Sequence, residues 1–155
     1  MIFLSNFLAL ACGGILNVTE IPSYIQSPGY PFNYPKNREC MWTIKAPTNM
    51  TVAAMFVTFH LEDSVQCSYD SLTLYDKSPS GRRIASLCGT MKSNLTYYGA
   101  DSTMVVIFKS DGSKEYNGVK AKFVKANFSG KTVANLAFIL IISHVVGSGK
   151  KHMPI

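Results

Sequence analysis

The sequence lacks the short motifs that mark the common catalytic sites. It has no G-x-S-x-G nucleophile turn, no glycine-rich phosphate loop and no H-E-x-x-H metal motif. Of its three histidines, His144 and His152 lie near the end of the chain, and His60 lies in an apolar stretch next to Leu61. Glu62 and Asp70 have the carboxylates that sugar hydrolysis needs, but no long cleft-forming loops accompany them. The chain is therefore predicted to be non-catalytic.

Charge is also scarce, at 15% of the residues, and the net charge of +6 is unevenly spread. Residues 12–130 carry twelve Lys or Arg against nine Asp or Glu, so half of the excess lies in the last 25 residues. The basic side chains are scattered, and no run of them is interleaved with aromatic residues as a nucleic-acid platform requires. This distribution excludes nucleic acid as a partner, because the electrostatic footprint is missing.

No C-x-x-C pair occurs among the four cysteines, which argues against a zinc site. The cysteines are Cys12, Cys40, Cys67 and Cys88. Their even number, together with four N-glycosylation sequons at Asn17, Asn49, Asn94 and Asn127, indicates an oxidising, extracellular compartment. Three pairings are open. We favour Cys12 with Cys40 and Cys67 with Cys88, because each pair closes a loop of about 20 to 30 residues, worth roughly 3 kcal/mol.

The two ends of the chain differ from the middle. Residues 1–11, MIFLSNFLALA, are apolar and end in small residues, but they lack a basic start and are short for a signal peptide. We interpret them as a leader remnant, with an initial strand of the domain as an equal alternative and a lipoprotein box as a minor one. Residues 127–155 form an apolar and then basic tail, in which residues 132–149 are long enough to cross a bilayer. Asn135, Ser143 and His144 disfavour that membrane span, which leaves a tail without structure of its own.

No helical periodicity is present between these ends. Instead, turn signals separate short stretches typical of strands, which are MWTIKAP, MTVAAMFVTFHLE, SLTLYD, STMVVIFKSD and GVKAKFVKANF. In the last of them Val119, Ala121 and Phe123 alternate with lysines, so one face is apolar. The stretch from Met104 to Phe108 is apolar on both faces, which predicts a central strand. The pattern indicates an all-β, antiparallel β-sandwich.

The motifs along this region make the chain resemble the CUB domain family. They are S-P-x-Y-P-x-x-Y-P at residues 27–35, W-x-I at 42–44, C-x-Y-D at 67–70 and F-x-S-D at 108–111, and they coincide with the four cysteines. The resemblance covers residues 12–126 and implies a jelly-roll-like sandwich that mediates extracellular recognition. Two positions depart from the family: Lys77 replaces a common glycine, and Val119 replaces a common aromatic. We expect Trp42 to be a core residue, because Ile44 shares its strand face.

The same resemblance implies a calcium ion held by Glu62, Asp70 and Asp111. The backbone carbonyl of Ser113 would complete the shell, and the Tyr34 hydroxyl would brace Glu62. The chemistry agrees independently, since Ca²⁺ takes six to eight oxygen ligands and three clustered carboxylates repel one another without a cation. The alternative is that these acids are ordinary carboxylates at strand ends.

The implied function is that of an extracellular, non-catalytic module whose calcium-dependent surface engages a protein presenting a Lys or an Arg. Tyr34, Tyr69 and residues 114–117 are candidates for the rim of that surface, although Tyr69 would equally pack into the core. Three alternatives remain. The first is a spermadhesin-like single domain that binds glycans or coat proteins. The second is a fragment of a larger CUB-containing protease or receptor, and the third is a structural spacer in an extracellular array.

Overall fold

The computed structural model describes residues 12–91 and 95–128. Within these ranges the chain forms nine strands and a short 3-10 turn at Val65–Cys67, without an α-helix. The strands are β1 (Gly14–Asn17), β2 (Ser23–Gln26), β3 (Glu39–Lys45), β4 (Thr51–His60), β5 (Ser71–Asp76), β6 (Arg83–Leu87), β7 (Thr96–Tyr98), β8 (Thr103–Lys109) and β9 (Gly118–Ala126). The predicted leader at residues 1–11, the sequon Asn94 and the tail beyond residue 128 lie outside the described residues.

The strands build two sheets that enclose one hydrophobic core. One sheet has five strands in the order β1-β3-β8-β5-β6, and the other has four in the order β2-β9-β4-β7. Buried side chains from both sheets fill the space between them, with Ile44, Leu74 and Phe108 from the first and Phe56 and Phe123 from the second. This arrangement confirms the prediction of an all-β sandwich.

Strand β8 lies at the centre of the five-stranded sheet, between β3 and β5. Its residues Met104, Val105, Val106 and Phe108 are almost fully buried, although neighbouring residues point to opposite faces of the sheet. Both faces of this strand are therefore covered, as the apolar run from Met104 to Phe108 predicted.

Strand β1 departs from the antiparallel pattern because it pairs with β3 in a parallel register, Gly14 opposite Trp42. The other pairings between the strands are antiparallel. At Gly13 the backbone has φ +103°, and a Cβ there would lie 2.5 Å from the carbonyl oxygen of Met41. Only glycine lets the chain approach β3 this closely at the point where β1 begins.

Individual core predictions hold in β3 and β9. Trp42 and Ile44 are both buried on the inner face of β3, and Val119, Ala121 and Phe123 are buried along β9. The alternation in β9 leaves Lys120 and Lys122 on the other face, as period-two patterning requires.

Two disulfides bind the sandwich, and they have the favoured pairing. Cys12 is bonded to Cys40, and Cys67 is bonded to Cys88. The first links the chain just before β1 to the second residue of β3. The second links the segment between β4 and β5 to the chain directly after β6. Each disulfide thus fixes a short or irregular segment to a strand of the five-stranded sheet.

The strand directions give the sandwich two distinct ends. Strands β4 and β8 finish at one end, where β3, β5 and β9 begin, as the pairs Glu39–Lys109, Ser71–Lys109 and His60–Gly118 show. We call this the acidic end, because Glu62, Asp70 and Asp111 lie there. At the opposite end, Thr51 pairs with Ala126. Since β8 has seven residues, the two ends are roughly 20 Å apart or more.

Among residues 12–91 and 95–128, none belongs to a helix with the length and apolar character needed to cross a bilayer. The membrane segment considered at residues 132–149 lies outside the described part of the chain.

Candidate metal centre

Two connections between strands, β4 to β5 and β8 to β9, bring the predicted carboxylates together at the acidic end. Glu62 follows β4 by two residues, Asp70 directly precedes β5, and Asp111 follows β8 by two residues. One carboxylate oxygen of each lies within 4.8 Å of those of the other two. Glu62 is 3% exposed, Asp70 is fully buried and Asp111 is half-buried. The sequence-predicted trio is therefore one cluster, open to solvent on the Asp111 side.

Asp70 is the most strongly held of the three. Its Oδ1 accepts a hydrogen bond from the backbone N–H of Asp111 at 2.7 Å, and its Oδ2 accepts one from the Tyr34 hydroxyl at 2.5 Å. Hydrogen bonds to a charged acceptor are short and strong. They fix the Asp70 carboxylate in one orientation and join it to the loop that carries Asp111.

Tyr34 lies at the centre of this arrangement, with a role different from the predicted one. Its hydroxyl donates to Asp70 and accepts a hydrogen bond from the backbone N–H of Glu62 at 3.1 Å. A phenol has one proton to donate, and Asp70 receives it, so the Glu62 carboxylate is not braced by Tyr34 as expected. Burial, reinforced by the hydrogen bond to Asp70, raises the pKa of the Tyr34 hydroxyl well above its ordinary value, which keeps it a donor.

The proline-rich segment before β3 is fastened to the loop that follows β8. The backbone N–H of Tyr34 donates to the carbonyl of Tyr116 at 3.0 Å, and that of Asn37 donates to the carbonyl of Asp111 at 2.7 Å. The Ser110 hydroxyl donates to the carbonyl of Pro35 at 2.8 Å. The Tyr34 ring packs edge-on against Phe108, with ring centres 5.3 Å apart. These contacts hold the tyrosine- and proline-rich segment that precedes β3 against the loop that carries Asp111.

Glu62 is the least satisfied carboxylate. Its Oε2 is buried and has no hydrogen-bond partner, and its Oε1 lies 3.5 Å from the ammonium of Lys114. A buried ionised oxygen without a partner is costly, and neighbouring carboxylates add repulsion. The Glu62 side chain thus has a buried, unpartnered oxygen and belongs to a cluster with two other acids.

Asp111 and Ser113 form a tight turn at the solvent side. Asp111 Oδ1 accepts hydrogen bonds from the Ser113 N–H at 2.8 Å and from the Ser113 hydroxyl at 3.2 Å. Ser113 is therefore placed at the cluster, where it holds the Asp111 carboxylate. Ligation by the Ser113 carbonyl stays a prediction.

The rim of the cluster is polar and partly aromatic. Tyr69 is 55% exposed, and its backbone N–H donates to the Ser64 hydroxyl at 3.1 Å, so it lies on the surface and does not pack into the core. Asn117 donates from its side-chain amide to the carbonyl of Pro31 at 3.1 Å. His60 stacks against the Tyr116 ring, with ring centres 4.3 Å apart.

The sequence analysis did not anticipate the ion pair between Lys114 and Glu62. The only sequence signal for it is a lysine three residues after Asp111.

The three sequons in the described part of the chain lie away from this centre. Asn17 ends β1, Asn49 precedes β4 by two residues, and Asn127 directly follows β9. All three positions belong to the end opposite Glu62, since Asn17 pairs with Lys45 and Thr51 pairs with Ala126. Asn17 and Asn49 are exposed.

Comparisons with known proteins agree with this architecture. The family model described as "CUB domain" matches residues 12–123. Cubilin from Rattus norvegicus is 35% identical over 126 residues, which are 79% of this chain and 4% of cubilin. The structure of the full extracellular region of zebrafish Gpr126/Adgrg6 aligns with a TM-score of 0.67 at 29% identity, over 76% of this chain and 15% of that one. The chain thus spans a small part of either protein.

A third relative is a single domain that aligns over almost its whole length. The crystal structure of the MASP-1 CUB2 domain bound to Ca²⁺ aligns with a TM-score of 0.62 at 29% identity. The alignment covers 73% of the present chain and 99% of that domain.

Proposed function

We propose a calcium-dependent binding function for this chain, which belongs to the CUB domain family. It is an extracellular module, and two disulfides stabilise it. The proposed ion is Ca²⁺, held by Glu62, Asp70 and Asp111 together with the carbonyl of Ser113. The proposed role is non-catalytic recognition of a partner protein.

The observation that carries the proposal is the state of the Glu62 carboxylate. Its buried Oε2 has no partner, and one of its two carboxylate oxygens lies within 4.8 Å of an oxygen of each of the other two acids. A hard divalent cation removes both the unsatisfied acceptor and the mutual repulsion of the three acids. The all-oxygen donor set suits Ca²⁺ and not zinc, which favours nitrogen and sulfur ligands. The relative whose structure is described as bound to Ca²⁺ supports the same ion.

Once bound, calcium supplies a fixed charge that holds the β4–β5 and β8–β9 connections in one arrangement. Tyr34 would keep Asp70 oriented, as it does here through its hydroxyl. Without the ion, repulsion among the acids should loosen these connections, and the exposed rim that includes Tyr69 would lose its defined shape.

The chemistry of the partner follows from the charge that remains. Three carboxylates and one Ca²⁺ sum to −1, so the occupied site still attracts a cation. A Lys or Arg of an extracellular protein is complementary to it, and the binding should weaken as salt increases. Tyr69 is the proposed neighbour of that basic side chain, because Tyr34, the other tyrosine expected at the rim, is 1% exposed and does not reach the surface.

Two alternatives use the same fold differently. A spermadhesin-like protein would bind glycans or coat proteins through another surface, and its binding would be insensitive to calcium. A fragment of a larger protease or receptor would use the same site within a longer chain. The predicted division into residues 1–11, 12–126 and 127–155 is compatible with either alternative. Membrane association through residues 132–149 is not favoured.

Titration of Ca²⁺ into the oxidised protein tests the proposal. We expect one site, with the affinity weakened at least about tenfold in Asp111→Ala and in Glu62→Gln, because each loses a charged ligand. The melting temperature of the wild type should rise with calcium concentration by mass action. Glu39→Gln is the matched control, since Glu39 pairs with Lys109 at 3.0 Å outside the cluster. A wild-type protein that shows neither binding heat nor a calcium-dependent melting temperature contradicts the proposal.

A further inference from the structure

We infer that Lys114 is a tethered occupant of the acidic cluster, which competes with calcium and sets the calcium concentration at which the site fills. The inference rests on the proposed function of that site, and it adds a regulatory element from this chain's own sequence.

The position of Lys114 is the first step of the argument. It lies in the loop between β8 and β9, three residues after Asp111, and its φ is +41°, in the left-handed region that side chains rarely adopt. Its carbonyl oxygen is 3.5 Å from the Tyr34 hydroxyl. The backbone at Lys114 therefore bends against the residue that organises the cluster, and the ammonium reaches Glu62 Oε1 at 3.5 Å.

The burial of the two partners differs sharply. The Glu62 side chain is 4% exposed, whereas that of Lys114 is 70% exposed. The ammonium thus approaches from the solvent side, by the route that an incoming cation must take. It contacts only one oxygen, since Oε2 of Glu62 has no partner. A single ammonium neutralises part of the cluster, and a divalent ion that reaches all three acids can displace it.

Two other lysines near this end are paired elsewhere. Lys36 lies 3.5 Å from Glu115, and Lys109 lies 3.0 Å from Glu39. In the described part of the chain, Lys114 is thus the basic residue whose ion pair involves a carboxylate of the cluster. The effect should belong to this lysine and not to the general positive charge of the protein.

The competition acts in one direction. When calcium binds at Glu62, Lys114 no longer neutralises that carboxylate. The ammonium and the divalent ion then lie close together and repel each other. Because Lys114 is largely exposed, solvent screens the pair, and its removal should strengthen calcium binding only about two- to fivefold. The same ammonium would stand where a basic side chain of a partner approaches the occupied site.

Calcium titrations of Lys114→Gln and Lys45→Gln test the inference. Lys45 ends β3 at the opposite end of the sandwich, so the control removes the same charge far from the site. We expect Lys114→Gln to bind about two- to fivefold more tightly than wild type at about 0.05 M salt and Lys45→Gln to match wild type. The difference should shrink at about 0.5 M salt. Equal affinities of the two variants at low salt overturn the inference.

A calcium-free measurement separates this inference from the proposed function. In excess chelator, the thermal stabilities of wild type, Glu62→Gln, Lys114→Gln and the double variant form a cycle. We expect Lys114→Gln to lower the melting temperature only where Glu62 is intact. Additive effects would overturn the inference while leaving calcium binding in place. If no protein of the titration series binds calcium, the proposed function itself fails, which the wild type alone reveals.

Discussion

At the scale of single residues, Tyr34 links the core of the sandwich to its acidic end. Its ring packs against Phe108 in the central strand β8. Its hydroxyl donates to Asp70 and accepts from the backbone N–H of Glu62. The choice between Asp70 and Glu62 as the acceptor could not be read from the sequence, because it depends on side-chain direction and on which backbone groups come near. The motif located the tyrosine at the site, and the packing decided its partner.

Removal of the Tyr34 hydroxyl should destabilise the protein. In Tyr34→Phe the ring remains, but Asp70 Oδ2 and the Glu62 N–H lose their partner in a buried setting. We expect a loss of about 1–3 kcal/mol in the free energy of unfolding, measured by urea denaturation in calcium-free buffer. Tyr24→Phe is the control, since Tyr24 is half-exposed and its ring contacts Lys120, so the change should stay within about 0.5 kcal/mol.

The same hydroxyl predicts a pH dependence. The pKa of Tyr34 is raised in the folded state, so folding holds this proton more tightly than the unfolded chain does. The resulting stability is complete below the pKa of an unfolded tyrosine, about 10, and declines as the pH rises above it. The stability of wild type should therefore fall more steeply above about pH 10 than that of Tyr34→Phe. Parallel curves would contradict this assignment.

At the scale of elements, the strands found from the sequence and those missed differ in their position in the sheets. The five predicted stretches correspond to β3, β4, β5, β8 and β9, which all have neighbours on both sides. The four missed strands, β1, β2, β6 and β7, are the edges of the two sheets. The edge strands have three to five residues each, and Ile25 is the one residue among them that is buried, so they carry little of the apolar patterning on which strand prediction depends.

The carboxylate cluster was predicted from the resemblance to the CUB domain family, and each of its acids adjoins one of the well-patterned strands β4, β5 and β8. Strand patterning alone does not order the strands within a sheet, so it could not have brought the three acids together without that resemblance. The parallel pairing of β1 with β3 was not predictable, because it depends on a close backbone approach at Gly13 that no periodic pattern records.

The connection between β5 and β6 carries a prediction of its own. Lys77 has φ +66°, and its N–H donates to the carbonyl of Thr103 at 2.8 Å, which holds the residue in this conformation. The backbone adopts the geometry for which the family commonly uses glycine. Lys77→Gly should relieve a steric cost of roughly 1–2 kcal/mol, partly offset by chain entropy, and so stabilise the fold by about 0.5–1 kcal/mol in urea denaturation. Lys77→Ala keeps the strain and should give no gain; equal stability of the two variants would refute the argument.

At the scale of the whole molecule, the two disulfides have different consequences. Cys12–Cys40 fastens an edge strand, whereas Cys67–Cys88 fastens the segment between Glu62 and Asp70, where Val65 and Tyr69 are exposed. Because this segment buries little apolar surface, its order depends on the disulfide and on the contacts of Tyr34.

Paired replacement of the cysteines by serine should separate these roles. We expect both double variants to lose roughly 3 kcal/mol of stability, because the loops they close are similar in length, 28 and 21 residues. Calcium affinity should fall about tenfold or more only in Cys67→Ser/Cys88→Ser, measured by titration at a temperature where each variant is folded. A comparable loss of affinity in Cys12→Ser/Cys40→Ser would show that overall stability, and not the local segment, controls the site.

The separation of three sequons, Asn17, Asn49 and Asn127, from the acids gives the molecule a polarity. Sugar chains on Asn17, Asn49 and Asn127 would surround one pole with a hydrated, sterically crowded shell, roughly 20 Å or more from Glu62. A protein approaching from that side would be kept at a distance. Carbohydrate would then act as an orienting device, which restricts the directions from which a binding protein can arrive.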